Sequence, residues 1–216
     1  MSKFSKLYIA LKFRLFGMGF YKAMEALEKG REIHDSIRKD GVTPEYQHQI
    51  EIALFILTLK DVKDLETCLI LALFHDTLED YPERISEKYI LYNFGELIYN
   101  GLNSLNKYSM KMQDGCFQKV AKTPSEYFGV IGEDKNTAIV KLSDRVNNLQ
   151  SMQRGKFTLE KQRKYVEEVK TYFLPMAKRV RLANPEYMDA FYNLETMLKF
   201  QIEFVEMFID ASQTND

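Results

Sequence analysis

The stretch LALFHDTLED, residues 71–80, ends a continuous apolar segment with one histidine and three carboxylates. Residues 68–74 are all apolar, and seven apolar residues in a row can form either a buried strand or part of a buried helix. The segment is rich in Leu and Ala and has one β-branched aliphatic residue, which favours a helix. We therefore predict a central helix, buried on nearly all sides, that continues through Asp80.

The acidic end of this helix has two interpretations. Carboxylates near a helix C-terminus are disfavoured by the helix dipole unless a cation compensates them. His75, Asp76, Glu79 and Asp80 all fall within the last six residues of the stretch. They form either a solvated acidic helix end or one side of a site for a divalent metal ion.

Helical periodicity dominates the rest of the chain. Apolar residues recur at steps of three and four over residues 20–37, 135–150, 160–174 and 187–211, and Pro175 is expected to bend or break the third of these helices. Glycine and proline mark residues 39–47 and 112–129 as surface loops. We predict an all-α, single-domain protein over residues 1–216, with an N-terminal extension at 1–19 and a core at 20–200.

Composition excludes several classes of protein. A net charge of −1 argues against a nucleic-acid-binding protein that works by bulk electrostatics. The two cysteines, Cys68 and Cys116, lie too far apart in sequence to indicate a disulfide framework or a thiolate metal site. No apolar run reaches the roughly 18 residues of a membrane span. We expect a cytoplasmic protein with no nucleic-acid or membrane partner, and the sequence does not indicate an oligomeric state.

A second polar cluster lies on the predicted helix at residues 135–150. Lys141, Asp144, Arg145 and Asn148 are spaced at i, i+3, i+4 and i+7, so they share one face, opposite an apolar stripe. A solvated helix face can have the same spacing. One carboxylate between two cations and an amide is also what a phosphate site around a metal ion would need.

These segments together resemble the HD phosphohydrolases, and within them the hydrolase domain of the RelA/SpoT alarmone proteins and the small stand-alone alarmone hydrolases. The resemblance rests on five elements in order: His34, RKDG at 38–41, His48, HDTLED at 75–80 and KLSDRVNNL at 141–149. The segments FGELI at 94–98 and FLPMAKRV at 173–180 extend it. It covers roughly residues 20–200 and implies an HD-domain bundle of about ten helices.

The resemblance also implies a metal centre. One Mn²⁺ ion would be bound by His48, His75, Asp76 and Asp144. Mixed imidazole and carboxylate ligands suit Mn²⁺, and also Fe²⁺, Co²⁺ or a similar divalent ion. Glu79 and Asp80 would orient or deprotonate the attacking water. His34 would have a supporting role outside the metal ligands.

Further residues are implied to bind a nucleotide. Arg38 would stack on a guanine base, and Lys39 would face phosphates. The remaining candidates come from the second polar cluster and the turn after it: Lys141, Arg145, Asn148 and Ser151. The chain departs from the motifs at Gln49, Tyr81, Asn147 and Gln150, where the resemblance leads us to expect proline, threonine, histidine and arginine.

Three functions follow as hypotheses. The first is metal-dependent hydrolysis of the 3′-pyrophosphate of guanosine tetra- or pentaphosphate, (p)ppGpp, to GDP or GTP and pyrophosphate. The second is an HD phosphohydrolase that acts on another nucleotide, such as a phosphoadenosine or NADPH-like substrate. The third is a non-catalytic nucleotide-binding module, against which the intact Glu79-Asp80 pair argues.

Overall fold

The structure, a computed structural model, describes residues 1–38, 41–113, 116–152 and 157–213. Its α-helices, in chain order, are α1 Lys3–Met18, α2 Tyr21–Ile33, α3 Gln47–Ile56, α4 Leu65–Phe74, α5 Thr77–Asp80, α6 Glu87–Leu105, α7 Pro124–Ile131, α8 Lys135–Met152, α9 Leu159–Glu168, α10 Leu174–Ala183 and α11 Met188–Gln213. A single antiparallel hairpin, β1 Tyr108–Gln113 and β2 Cys116–Ala121, stands between α6 and α7. The prediction of an all-α fold is confirmed.

Helix α4 is the centre of the fold, as its composition predicted. Every residue from 68 to 74 is buried, and the helix packs against α2, α3, α6 and α8. The prediction that it continues through Asp80 is wrong. The α-helix ends at Phe74, His75 and Asp76 form a turn, and the short helix α5 begins at Thr77. This break turns the acidic residues away from the axis of α4.

The other predicted helices are found with adjusted ends. Residues 135–150 and 187–211 lie within α8 and α11, whereas the helix predicted at 20–37 ends at Ile33. The chain continues from α9 into α10 through a π-helical turn, Val169–Phe173, just before Pro175. Proline has no backbone N–H and cannot complete a regular α-helical ladder, which agrees with the predicted bend.

The prediction of a surface loop at 112–129 is wrong. This stretch contains half of the hairpin and most of α7. Helix α7 begins at a capping box in which Thr123 and Glu126 satisfy each other's backbone N–H groups. Within the described hairpin, only Ser109 and Val120 are partly buried. The strands therefore lack the apolar alternation by which a half-buried strand is recognised.

Two further features frame the core. Helix α1 packs against α2 and α3 and buries Leu11 and Leu15 completely. Helix α6 is interrupted at Gly95, whose φ of 82° and ψ of 173° are not helical. No helix in the described parts of the chain is both long enough and apolar enough to cross a bilayer.

Candidate functional site

The turn between α4 and α5 contains a histidine, His75, with one ring nitrogen that makes no hydrogen bond to the described residues. His75 Nδ1 donates to the carbonyl of Ala72 at 2.9 Å, so in the neutral imidazole the lone pair is on Nε2. Nε2 is buried and lies 2.8 Å from Asp76 Oδ2. That pair lacks hydrogen-bond geometry, and Nε2 has no other hydrogen-bond partner among the described residues.

Two other helices complete the cluster. His48 on α3 places its Nε2 3.1 Å from Oδ1 of Asp144 on α8, and its ring centroid is 5.4 Å from that of His75. Ligand atoms of His48, His75 and Asp76 all lie within 4.8 Å of one another. Asp144 joins this group through its contact with His48. The four predicted metal ligands thus come together from three segments.

The donor atoms fit a divalent metal ion. Neighbouring ligands of an octahedral ion with bonds of about 2.1 Å lie about 3.0 Å apart. The two close pairs, at 2.8 Å and 3.1 Å, match this separation. A buried imidazole nitrogen that lies 2.8 Å from a carboxylate oxygen but makes no hydrogen bond is also explained by a metal ion between the two.

The electrostatics of the cluster are dominated by its two buried carboxylates. Burial alone would lower the pKa of His75, but the carboxylates of Asp76 and Asp144 outweigh it and raise that pKa to about 9. Burial would raise the pKa of Asp144, but Lys141 and the two imidazoles hold it well below its usual range. Both carboxylates are therefore ionised at neutral pH, and a cation is favoured there.

The acidic pair on α5 divides into two environments. Glu79 is held at the start of the hairpin, where it accepts from Lys107 Nζ at 2.9 Å and from the Lys107 backbone N–H at 3.1 Å. The carboxylate of Asp80 has no hydrogen bond or ion pair with any described residue. Burial and the negative charges of Asp76 and Glu79 raise the pKa of Asp80. Of the two carboxylates, Asp80 is thus the one without a partner among the described residues.

Only some of the residues on the polar face of α8 contact the proposed metal ligands. Lys141 Nζ donates to Asp144 Oδ2 at 3.0 Å, and Asn148 Nδ2 donates to Oδ1 at 2.7 Å. Arg145 instead bonds Glu168 at 2.8 Å and lies over the rings of two aromatic residues, Tyr165 and Phe173. Ser151 donates to the backbone carbonyl of Asn147.

A cationic cavity of about 230 Å³ adjoins the cluster on this side. Its charged and aromatic lining consists of Lys107, Lys122, Lys141, Arg145, Glu168, Tyr127, Phe128, Tyr172 and Phe173. Nε and Nη1 of Arg145 are buried there without a hydrogen-bond partner among the described residues. Unpaired buried donors beside three lysines favour an anionic ligand.

Arg38, the residue predicted to stack on the base, has no hydrogen bond or ion pair with the proposed metal ligands among the described residues. It follows α2, is half-buried, and bonds through its backbone N–H to the carbonyl of Thr43. Lys39 lies outside the described residues, so its role stays a prediction.

Sequence reasoning missed most of two groups around the ligands, in which only His34 had been predicted to have a supporting role. His48 Nδ1 contacts Asn147 Oδ1 at 2.8 Å, and Asn147 Nδ2 donates to Glu51 at 3.3 Å. On the other side, His34 contacts Thr77 Oγ1 at 3.1 Å and packs edge-on against Tyr81, whose hydroxyl donates to Glu45. The only signal in the sequence was that Asn147 and Tyr81 depart from the motifs.

Comparison with known proteins places the chain among nucleotide-metabolising relatives. No family profile matches it. It is 26% identical over 193 residues to a guanosine-3′,5′-bis(diphosphate) 3′-pyrophosphohydrolase of Aquifex aeolicus, covering 88% of this chain and 26% of that protein. It is 28% identical over 149 residues to the GTP pyrophosphokinase rsh of Brucella ovis, covering 68% and 19%.

A probable guanosine-3′,5′-bis(diphosphate) 3′-pyrophosphohydrolase of Synechocystis is 26% identical over 152 residues, covering 69% of this chain and 19% of that protein. The chain therefore spans only about a quarter, or less, of the length of these relatives. The resemblance read from the motifs is confirmed: over most of its length this chain is similar to the RelA/SpoT-type HD hydrolases.

Proposed function

We propose that this chain hydrolyses the 3′-pyrophosphate of guanosine tetra- or pentaphosphate, giving GDP or GTP and pyrophosphate. The names of two relatives support this reaction for the chain. The observation that carries the proposal is the gathering of His48, His75, Asp76 and Asp144 close to Asp80, whose carboxylate has no partner in the part of the chain that the structure describes. A protein that only bound a nucleotide would need no such base beside a metal site.

We propose one Mn²⁺ ion at this cluster, held by the two imidazole Nε2 atoms and by carboxylate oxygens of Asp76 and Asp144. Fe²⁺ or Co²⁺ would suit the same donors. When bound, a divalent ion lowers the pKa of water and neutralises charge on phosphoryl oxygens.

The chain's own residues would then carry the proton and position the substrate. Asp80 would accept a proton from the water that attacks the phosphorus bonded to the 3′-oxygen. The P–O3′ bond breaks, and the 3′-oxygen leaves with a proton as the ribose hydroxyl. Glu79, tied to Lys107, would hold α5 and the hairpin base in place rather than take that proton.

Substrate binding is proposed on charge and shape. The cationic cavity would take phosphate oxygens through Lys107, Lys141 and Arg145. Asn148, which donates to Asp144 Oδ1, would lie beside the metal ion. Ser151 lines a separate cavity with Glu51 and Asn147, and its contact with the nucleotide stays a prediction. Arg38 and Lys39 would reach the base and phosphates from the loop after α2. The absence of nucleic-acid and membrane partners and the cytoplasmic location stay predictions.

Incubation with Mn²⁺ and a panel of nucleotides tests the proposal. The panel contains guanosine 3′,5′-bis(diphosphate), 3′-phosphoadenosine 5′-phosphate and NADPH, with products separated by chromatography. We expect GDP and pyrophosphate from the first compound, and no products from an Asp76→Asn control. Preferential turnover of either other compound would select the second hypothesis, and metal binding without turnover of any compound would select the binding module.

A further inference from the structure

We propose that Asn147 and Glu51 act as positioning residues that fix which nitrogen of His48 faces the metal ion. The inference rests on the proposed metal centre and concerns a residue pair outside its ligands. The motivating contact is that of His48 Nδ1 with Asn147 Oδ1 at 2.8 Å, between two buried side chains.

The tautomers of the two histidines in the cluster are fixed by different hydrogen-bond acceptors. An imidazole can ligate through Nε2 only if its proton is on Nδ1, and an acceptor at Nδ1 enforces this tautomer. For His75 the acceptor is the backbone carbonyl of Ala72. For His48 the acceptor is a side-chain amide. The Nδ1 proton of His48 is therefore fixed by a side chain that substitution can change.

The amide of Asn147 alone does not fix the tautomer of His48, because an amide carries an oxygen at one end and an NH₂ group at the other. If the amide of Asn147 were reversed, its NH₂ would face His48 Nδ1 and favour the wrong tautomer. Oε2 of Glu51 accepts from Asn147 Nδ2 at 3.3 Å, and a carboxylate can only accept. Glu51 thus orients the amide, and the amide orients the imidazole.

Glu51 is itself held in place and kept charged. Its other oxygen, Oε1, accepts from Lys3 Nζ at 2.7 Å and from Gln47 Nε2 at 2.9 Å. Burial would raise the pKa of Glu51, but these donors and Asn147 outweigh it and lower that pKa. The order of contacts from α1 to the metal site is therefore Lys3, Glu51, Asn147 and His48.

Mn²⁺ affinity measured by isothermal titration calorimetry tests this chain of contacts without any nucleotide. Asn147→Leu removes the acceptor, and we expect affinity to fall about 10–100-fold, the usual effect of losing such a partner. Glu51→Gln should give a smaller loss, because the amide that replaces the carboxylate can donate as well as accept and no longer requires Asn147 to face one way. Lys12→Gln is the matched control: it removes an exposed ion pair between α1, the helix that also carries Lys3, and Glu28 that takes no part in these contacts, and affinity should stay within about twofold of the unmodified chain.

The double variant Asn147→Asp, Glu51→Gln tests whether a fall in Mn²⁺ affinity comes from lost orientation of the His48 imidazole or only from lost packing. The new carboxylate can only accept from His48 Nδ1, and the new glutamine can donate to that carboxylate. We expect affinity to return to the unmodified level or above it, while thermal unfolding in EDTA reports that each variant is folded. Unchanged affinity in Asn147→Leu, or no recovery in the double variant, would overturn the inference. An unmodified chain that bound no Mn²⁺ would instead overturn the proposed metal centre.

Discussion

At the scale of single residues, two carboxylates that are adjacent in sequence have different environments. Glu79 and Asp80 are neighbours on one short helix, yet Glu79 is neutralised by Lys107 and Asp80 has a raised pKa and no partner among the described residues. The motif predicted the pair as a unit. The difference between Glu79 and Asp80 depends on Lys107, which is 28 positions away from Glu79. Periodicity and spacing within the motif could therefore not predict this difference.

Asp80→Asn should lower kcat by about 10²–10⁴-fold, the typical contribution of a general base. Metal content should not change, because Asp80 is outside the proposed ligands. Glu79→Gln is the paired control, and its kcat should fall less. Kinetics with guanosine 3′,5′-bis(diphosphate), together with metal analysis, would measure both variants. A larger loss in Glu79→Gln than in Asp80→Asn would assign the base to Glu79.

The proposed ligands give a second prediction at this scale. The variants His75→Ala and Asp144→Ala should each lose tightly bound metal, because every ligand contributes to the affinity for the ion and the remaining three bind it less tightly. Metal analysis after dialysis measures the loss. Lys178→Ala, an exposed position on α10, serves as the control and should retain metal. Stoichiometric metal in either ligand variant would show that the ligand set is wrong.

At the scale of elements, burial decided what the sequence could reveal. Helices α8 and α11 carry apolar residues at helical spacing and were predicted from it, whereas α4 was predicted from the Leu and Ala content of its continuous apolar run. The turn at His75-Asp76 was missed because the apolar run gives no sign of where the ladder stops. The hairpin was missed because its side chains are mostly exposed. Its only signal was the dipeptide Asp114-Gly115, a sequence that is typical of hairpin turns.

Gly95 offers a test of the kink in α6. Its φ of 82° with a ψ of 173° lies in a region that side chains avoid, so Gly95→Ala should destabilise the fold by about 1–3 kcal/mol. Gly129→Ala is the matched control, because that glycine lies inside α7 with open space at its Cβ position. Alanine there should be neutral or stabilising by about 0.4–1 kcal/mol. Denaturant unfolding compares the two, and equal stabilities would argue against strain at position 95.

At the scale of the whole molecule, the site joins segments far apart in sequence. The ligands come from α3, the α4–α5 turn and α8, and the helix-spacing rules that located these elements do not say which of them meet. Their convergence was predicted only through the resemblance to a known family. Lys3 and Glu51 lie outside the quoted motifs, and the resemblance was silent about the contacts of Glu51 with Lys3 and Asn147.

Metal binding should therefore stabilise the whole fold. An ion that binds only the folded state adds about 2.7 kcal/mol at a free concentration of 100 times Kd. We expect the Tm to rise with added Mn²⁺ and to fall with EDTA. The Tm of Asp144→Asn should respond little to either addition. A Tm of the unmodified chain that is insensitive to Mn²⁺ would contradict a metal site built from three segments.

The exposed hairpin has a consequence for motion. A two-stranded ribbon with little buried surface is marginally stable by itself, so its backbone should open locally far more often than the core does. Hydrogen exchange should show amides of β1 and β2 exchanging faster than those of α4, and equal protection would contradict this. Because the amide and side chain of Lys107 both bind Glu79, each opening that reaches the base of the ribbon would free that carboxylate. The charge beside Asp80 would then fluctuate on the timescale at which the hairpin opens.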